Sequence, residues 1–277
     1  MNNLSKNLRH TLVSKTTQLF FTVIVLFFTL SSCSSDAATA SDATTKLLGK
    51  MVDVATNGSS TTTSFTYNAN KIVSVDGVSK HMYFNYTNDL ITKIVTLDDA
   101  TQSQTVVTYD YADGNLVKIT SSENYVINYV HNADGTVSYE KLTLDNNNNE
   151  VLVYKGTLYF QNGNLAKDER TLAITATEVS KEIVTYQYDA KSNPLHNVVG
   201  FSKLLDNSSA ISVNNVTRTQ EESRKEYISS GQITSSMVLF VSANQYDADG
   251  YPTVITSEKA FIGVSTANHK KTEFYYN

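Results

Sequence analysis

The sequence predicts an all-β domain: an antiparallel meander of hairpins forming a large curved sheet or an open barrel. Three observations predict it. Residues that suit a pleated, half-buried surface are plentiful, with 17 Tyr and 11 Phe, whereas Pro occurs only twice and Trp not at all. Apolar and polar residues alternate with a period of two. Val107, Tyr109 and Tyr111 share one face against Val106, Thr108 and Asp110, and Val184, Tyr186 and Tyr188 repeat this against Ile183, Thr185 and Gln187. Finally, Asn, Asp and Gly punctuate the chain between such runs, supplying the positive φ angles of tight hairpins.

The N-terminus reads differently. Residues 1–18 carry Lys6, Arg9 and Lys15 and no acid, and the apolar run that follows, Leu19 to Leu30, is too short for a span of about 20 residues but suits a signal core. Leu30-Ser31-Ser32-Cys33 resembles the lipobox of bacterial lipoproteins. The resemblance implies cleavage between Ser32 and Cys33 and lipidation of Cys33, which would make the membrane a partner through acyl chains. Ser34 to Thr45 is small and polar, with too little apolar surface to pack. The organisation expected is a signal peptide at 1–32, a flexible tether at 33–47 and a β-hairpin repeat domain at 48–277. The Ser/Asp-rich start also resembles the surface-export signals of Bacteroidetes lipoproteins, implying an outer-membrane anchor and a surface-exposed domain.

Through the domain runs a repeat of an alternating strand with an aromatic near its end, a polar turn and a second strand. Copies include Phe65-Thr66-Tyr67-Asn68, Tyr83-Phe84-Asn85-Tyr86, Tyr109-Asp110-Tyr111-Ala112-Asp113-Gly114-Asn115-Leu116, Tyr159-Phe160-Gln161-Asn162-Gly163-Asn164-Leu165 and Tyr246-Asp247-Ala248-Asp249-Gly250. Uneven spacing argues against a strict solenoid and for a meander of about fifteen strands. The motif resembles the YD repeats of Rhs and teneurin-type proteins. Tyr186–Val216, with Asn193-Pro194-Leu195 and Asn214-Asn215-Val216-Thr217, looks more like a Bacteroidetes lipoprotein family of unknown function that carries such repeats.

Residues 195–210 break the pattern. Leu195, Val198, Val199 and Leu205 can share one side of a short helical turn, which reads as an inserted loop plugging one end of the sheet; another irregular strand fits the residues equally. The final Phe274-Tyr275-Tyr276-Asn277 is half a repeat, which suits a closing or edge strand.

No residue set points to catalysis. The four histidines after the signal (His81, His131, His196, His269) share no spacing, the single Cys allows neither an internal disulfide nor a thiolate metal site, and no nucleophile elbow or phosphate loop occurs. Asp247-Ala248-Asp249-Gly250 and the run from Asp145 to Glu150 invite a calcium reading, but Asp-Gly is already explained as a turn and the asparagine run as a solvated tip. Acidic neighbours such as Asp168-Glu169 point to opposite faces of a strand, unsuited to a two-carboxylate glycosidase. No metal and no cofactor is expected. The formal charge of −5 argues against a nucleic-acid partner. Tyr67, Tyr86, Tyr111, Tyr129, Tyr188 and Tyr246 are read first as sheet packing and second as ligand-facing aromatics. The function expected is a non-enzymatic binding or adhesion module of the envelope, its partner a glycan or an envelope protein. The alternative is a periplasm-facing carrier or assembly factor for lipid. A membrane pore is disfavoured by Thr, Asn and Lys on both faces of most strands.

Overall fold

The computed structural model describes residues 45–277 apart from 146, 148, 209, 210, 262 and 263. The signal sequence, the cleavage point at Ser32 and Cys33, and residues 34–44 of the tether lie outside the described residues. Among those described run sixteen strands. The first eight are β1 (Leu48–Val54), β2 (Ser60–Asn68), β3 (Lys71–Asp76), β4 (Lys80–Thr87), β5 (Leu90–Asp98), β6 (Ser103–Ala112), β7 (Asn115–Ser121) and β8 (Tyr125–His131). The rest are β9 (Val137–Leu144), β10 (Glu150–Gln161), β11 (Asn164–Ile174), β12 (Glu178–Ser192), β13 (Asn214–Tyr227), β14 (Ile233–Tyr246), β15 (Pro252–Phe261) and β16 (Val264–Tyr276).

Every strand pairs antiparallel with its neighbours in sequence, and β1 pairs with β16, so the meander closes into a barrel with no open edge. The half-repeat at the C-terminus is the closing strand: Met51 lies opposite Phe274, and the Asn277 amide donates to the Leu47 carbonyl at 2.9 Å.

Strand alternation gathers the motif turns at one rim, together with the start of β1 and the end of β16. Four of these hairpins have two-residue loops, and the first loop residue takes a left-handed φ in each: Ala69 at 53°, Asn88 at 54°, Asp113 at 51° and Asn162 at 52°. Gly114 and Gly163 follow two of them at 75° and 77°, completing turns whose twist matches that of the strands. Beside each turn the motif aromatic faces an aliphatic residue across the hairpin: Tyr67 opposite Ile72, Tyr86 opposite Ile91, Tyr111 opposite Leu116 and Phe160 opposite Leu165. All four aliphatics are at most 2% exposed. A bulge adjoins every one of these pairs, adding the local twist that coils the sheet.

The inserted segment between β12 and β13 enters the lumen. Its Val198, Phe201, Leu204 and Ile211 are buried with the barrel's own core, and the Phe201 and Phe84 rings lie 5.8 Å apart. Among its described residues the helical content is one 3-10 turn, Phe201–Lys203. Of the side expected from sequence, Val198 is buried and Leu195 and Leu205 pack against the core. Val199 acts through its backbone, donating to the Asn70 carbonyl at 3.0 Å.

Candidate functional site

The plug is fastened by polar contacts that its sequence supplies. Tyr86 donates to the Val199 carbonyl at 3.0 Å, and the Asn197 amide donates to the Lys46 carbonyl and to the Tyr251 hydroxyl, each at 2.8 Å. Asn164 and Asn214 exchange two bonds at its exit. Gly200, at φ 77°, has to be glycine twice over, because a Cβ there would also lie 2.8 Å from the Asp89 carbonyl oxygen. Lys46 bridges Asp247 at 2.6 Å and Asp249 at 2.7 Å, so the chain is held from its first residues in the barrel. The two aspartates read as calcium candidates are occupied by this ammonium. Asp145 instead accepts from the Asn147 and Asn149 amides of its own loop.

The motif tyrosines clasp one hairpin to the next. At the turn rim the ladders between hairpins stop short; β5 and β6, for example, pair last at Lys93 and Thr108. The aromatic beyond that point supplies the missing donor. Tyr111 donates to the Ile91 carbonyl at 2.9 Å, Tyr188 to Leu165 at 2.7 Å, Tyr276 to Pro252 at 2.8 Å and Tyr67 to Leu48 at 2.9 Å. His131 takes the place of tyrosine in its copy, with Nε2 2.9 Å from the Leu116 carbonyl. Burial raises the Tyr86 and Tyr188 phenols to about 12, so both stay protonated donors. Tyr246 bonds Asp189, and Tyr129 lies 6% exposed beside Tyr139. The six tyrosines singled out from sequence therefore line the lumen, and among the described residues all but Tyr129 spend their hydroxyls on the protein.

Two chambers remain in the lumen beyond the plug, with Ser208 of the plug bordering both. The first, of about 250 Å³, stands over the plug tip between β8 and β12. Its floor carries Tyr129, Tyr139 and Asp206, and Lys141, Tyr154 and Arg170 sit farther from the plug. Asp206 lies deep within the barrel, 3.3 Å from the Tyr109 hydroxyl, yet keeps accessible surface because it faces this hollow. Its depth raises the carboxyl above its ordinary range. Asp168, 4% exposed, accepts from Tyr139 at 2.6 Å and from the Arg170 guanidinium at 2.6 and 2.9 Å. The second chamber, of about 370 Å³, lies beside β1, β15 and β16. Met51, Phe65, Leu195, Ile255 and Phe274 wall it, and Lys270 and Asp53 form an ion pair of 3.2 Å at its edge.

Sequence reasoning missed Lys141, Arg170 and Asp206. The signal for the first two was the alternation itself: Tyr139-Glu140-Lys141 puts Glu140 outside and Lys141 inside, and Asp168-Glu169-Arg170 puts Glu169 outside and Asp168 and Arg170 inside. Asp206 had none, since the plug has no period to read.

Outside, charge runs along the middle of the strands. Lys167, Glu169, Lys181, Arg224 and Glu226 form a ladder across β11, β12 and β13, with Lys167 to Glu169 at 2.9 Å and Lys181 to Glu226 at 3.3 Å.

No family model matches the chain, and no curated protein matches it. Among solved structures it is similar to a porin-like protein from Bacteroides uniformis, with a TM-score of 0.50 and 11% identity, over 83% of this chain and 96% of that one. The likeness is one of fold: a large antiparallel barrel.

Proposed function

We propose that this chain is a lipid-anchored cell-envelope protein that works as a non-enzymatic binding module, receiving its ligand in the lumen through the rim opposite the plug. The observation that carries this reading is the asymmetry of the lumen. One end is filled by the plug and clasped by tyrosines. Toward the other, Glu221 and Ser223 lie on the lumenal face of β13 and are exposed. The lipobox at Cys33 and the envelope character of the porin-like neighbour support an outer-membrane anchor, and the clasped hairpins support kinship with YD-repeat lipoproteins. The outer ladder of charge argues against a barrel sunk in lipid, since a Lys or Arg at the bilayer midplane costs about 2–4 kcal/mol. Asp168, tied to Arg170 and Tyr139, is poorly placed for acid–base chemistry, which supports a binding role.

The test is metabolic labelling with a radioactive fatty acid, with the native chain and Cys33→Ala compared after membrane fractionation. Label and membrane retention lost together in the variant are expected; an unlabelled native chain overturns the anchor. Protease shaving of intact cells carrying an epitope after Asn277 then distinguishes a surface from a periplasmic domain. A second reading, a carrier of lipid, is favoured by the apolar wall of the larger chamber. It predicts copurifying acyl lipid in an organic extract of the purified domain.

A further inference from the structure

The chamber over the plug tip carries polar groups that the described residues leave partly or wholly unpaired. Lys141 projects into the lumen between Ile127 and Tyr154, its ammonium 4.2 Å from the Tyr125 ring centre and 5.9 Å from that of Tyr154. Among the described residues no carboxylate pairs with it. Such a cation is held by ring faces and stays available to an anion. Arg170 spends Nε and one terminal nitrogen on Asp168 and Tyr139, and its other terminal nitrogen has no partner among the described residues. The same holds for the hydroxyls of Tyr129 and Tyr154, both of which line the chamber. On the floor Asp206 offers an acceptor oxygen.

The arrangement is ordered by depth. Asp206 and Tyr129 lie at the floor, ring faces form the sides, and Tyr154 and the cations sit on the side away from the plug. A hydrophobic ligand would leave the floor unpaired, which is costly in an enclosed site. A neutral sugar would leave Lys141 unmatched. The space, about 250 Å³, suits one substituted six-membered ring.

We infer that this chamber binds a small sugar acid, its hydroxyls on Asp206, Tyr129 and Tyr154, its ring against the tyrosines and its carboxylate on Lys141 and Arg170. This rests on the lumen being the binding compartment, as proposed above, and adds the class of ligand.

The chain has no Trp, so emission comes from its 17 tyrosines, of which Tyr125, Tyr129, Tyr139, Tyr154 and Tyr186 line the chamber. Glucuronate, glucose and benzoate are titrated into the full-length protein, with heats measured in parallel. Saturable quenching by glucuronate is expected, with glucose and benzoate each at least about tenfold weaker, since charge-assisted bonds are the strong ones. Lys141→Met, with an unchanged melting curve, weakens glucuronate by at least about tenfold and leaves glucose unaltered. Lys155→Met on the outer wall serves as control and changes neither. Glucuronate binding indifferent to Lys141→Met overturns the assignment. Benzoate or glucose binding as tightly as glucuronate overturns the ligand class while leaving the lumen as the compartment. Silence toward all three overturns the site, and the labelling of Cys33 stands or falls separately.

Discussion

The ring of Tyr139 lies across the backbone of Gly156, its partner on the neighbouring strand, so closely that a Cβ on Gly156 would sit 2.6 Å from the ring. The contact is what lets the Tyr139 hydroxyl reach Asp168 and the ring form an edge with Tyr154. Gly156→Ala must therefore push the ring off its carboxylate partner. Overpacking of this kind costs about 1–3 kcal/mol. Denaturant unfolding of the variant, of Tyr139→Ala and of the pair should show the two losses to be far from additive, because both act through one contact.

The clasp can be weakened one bond at a time. Tyr111→Phe keeps the ring and removes the donor to Ile91, whose carbonyl is then unpaired at a residue with no exposed surface. A loss of about 1 kcal/mol is expected. Hydrogen exchange should quicken at the turns joining β4 to β5 and β6 to β7, and stay unchanged at the opposite rim. Uniform quickening would mean that the hydroxyl acts on the whole barrel.

On the outer wall His81 lies between two carboxylates, with Nδ1 2.9 Å from Asp76 and Nε2 3.1 Å from Asp99. The Asp76 bond, then the Asp99 bond, holds the imidazole above its ordinary value. The His81 bond, then that from Ser74, holds Asp76 below its own. With the imidazole raised, its contribution to stability is full below the unfolded value of about 6.5 and is lost as pH rises through the folded value. With Asp76 depressed, its contribution is present above the unfolded carboxylate value of about 4 and is lost as pH falls through the folded one. The pair should hold its loops best between about pH 4.5 and 6.5. Histidine ring-proton titration by NMR reads the shift directly, and Asp76→Asn should bring it back toward the ordinary value.

Phe201 is the deepest aromatic of the plug and meets Phe84 of the wall. Phe201→Ala is expected to cost about 3–5 kcal/mol if the plug stays seated. A much smaller loss, with new protease cleavage between Asn193 and Val213, would mean that the plug leaves the lumen independently of the barrel.

Most of this architecture was legible in the sequence because its determinants are local. The period of two assigned the faces of β6 and β12, and Asp113-Gly114 and Asn162-Gly163 marked the turns after β6 and β10. The half-repeat at Tyr276 suited a closing or an edge strand and the break at 195–210 a plug or another irregular strand, and the structure takes the first of each. What was not legible depends on residues far apart in the chain. Tyr111 reads as an aromatic in a strand; that its hydroxyl binds the Ile91 carbonyl follows only from where the ladder of β5 and β6 ends. Phe201, Leu204 and Ile211 went unassigned because an irregular segment carries no alternation to mark its inner side. The chamber was hidden for the same reason, since Asp206 approaches Lys141 only through the fold.

Because β1 closes on β16 at the rim where the chain enters, the order of strands is cyclic, and nothing in the wall marks a beginning. A version with its ends joined by a short linker and opened at the turn between Asp145 and Asn149 should form the same ring, as circular permutants do when cut at exposed tips. The order of the strands along the chain imposes a timetable. All pairings but one join strands adjacent in sequence and are available early, whereas the seam waits for the last strand. Until then an emerging chain presents two bare edges, so an envelope protein built this way would need its final dozen residues before it could be safe from sticking to its neighbours.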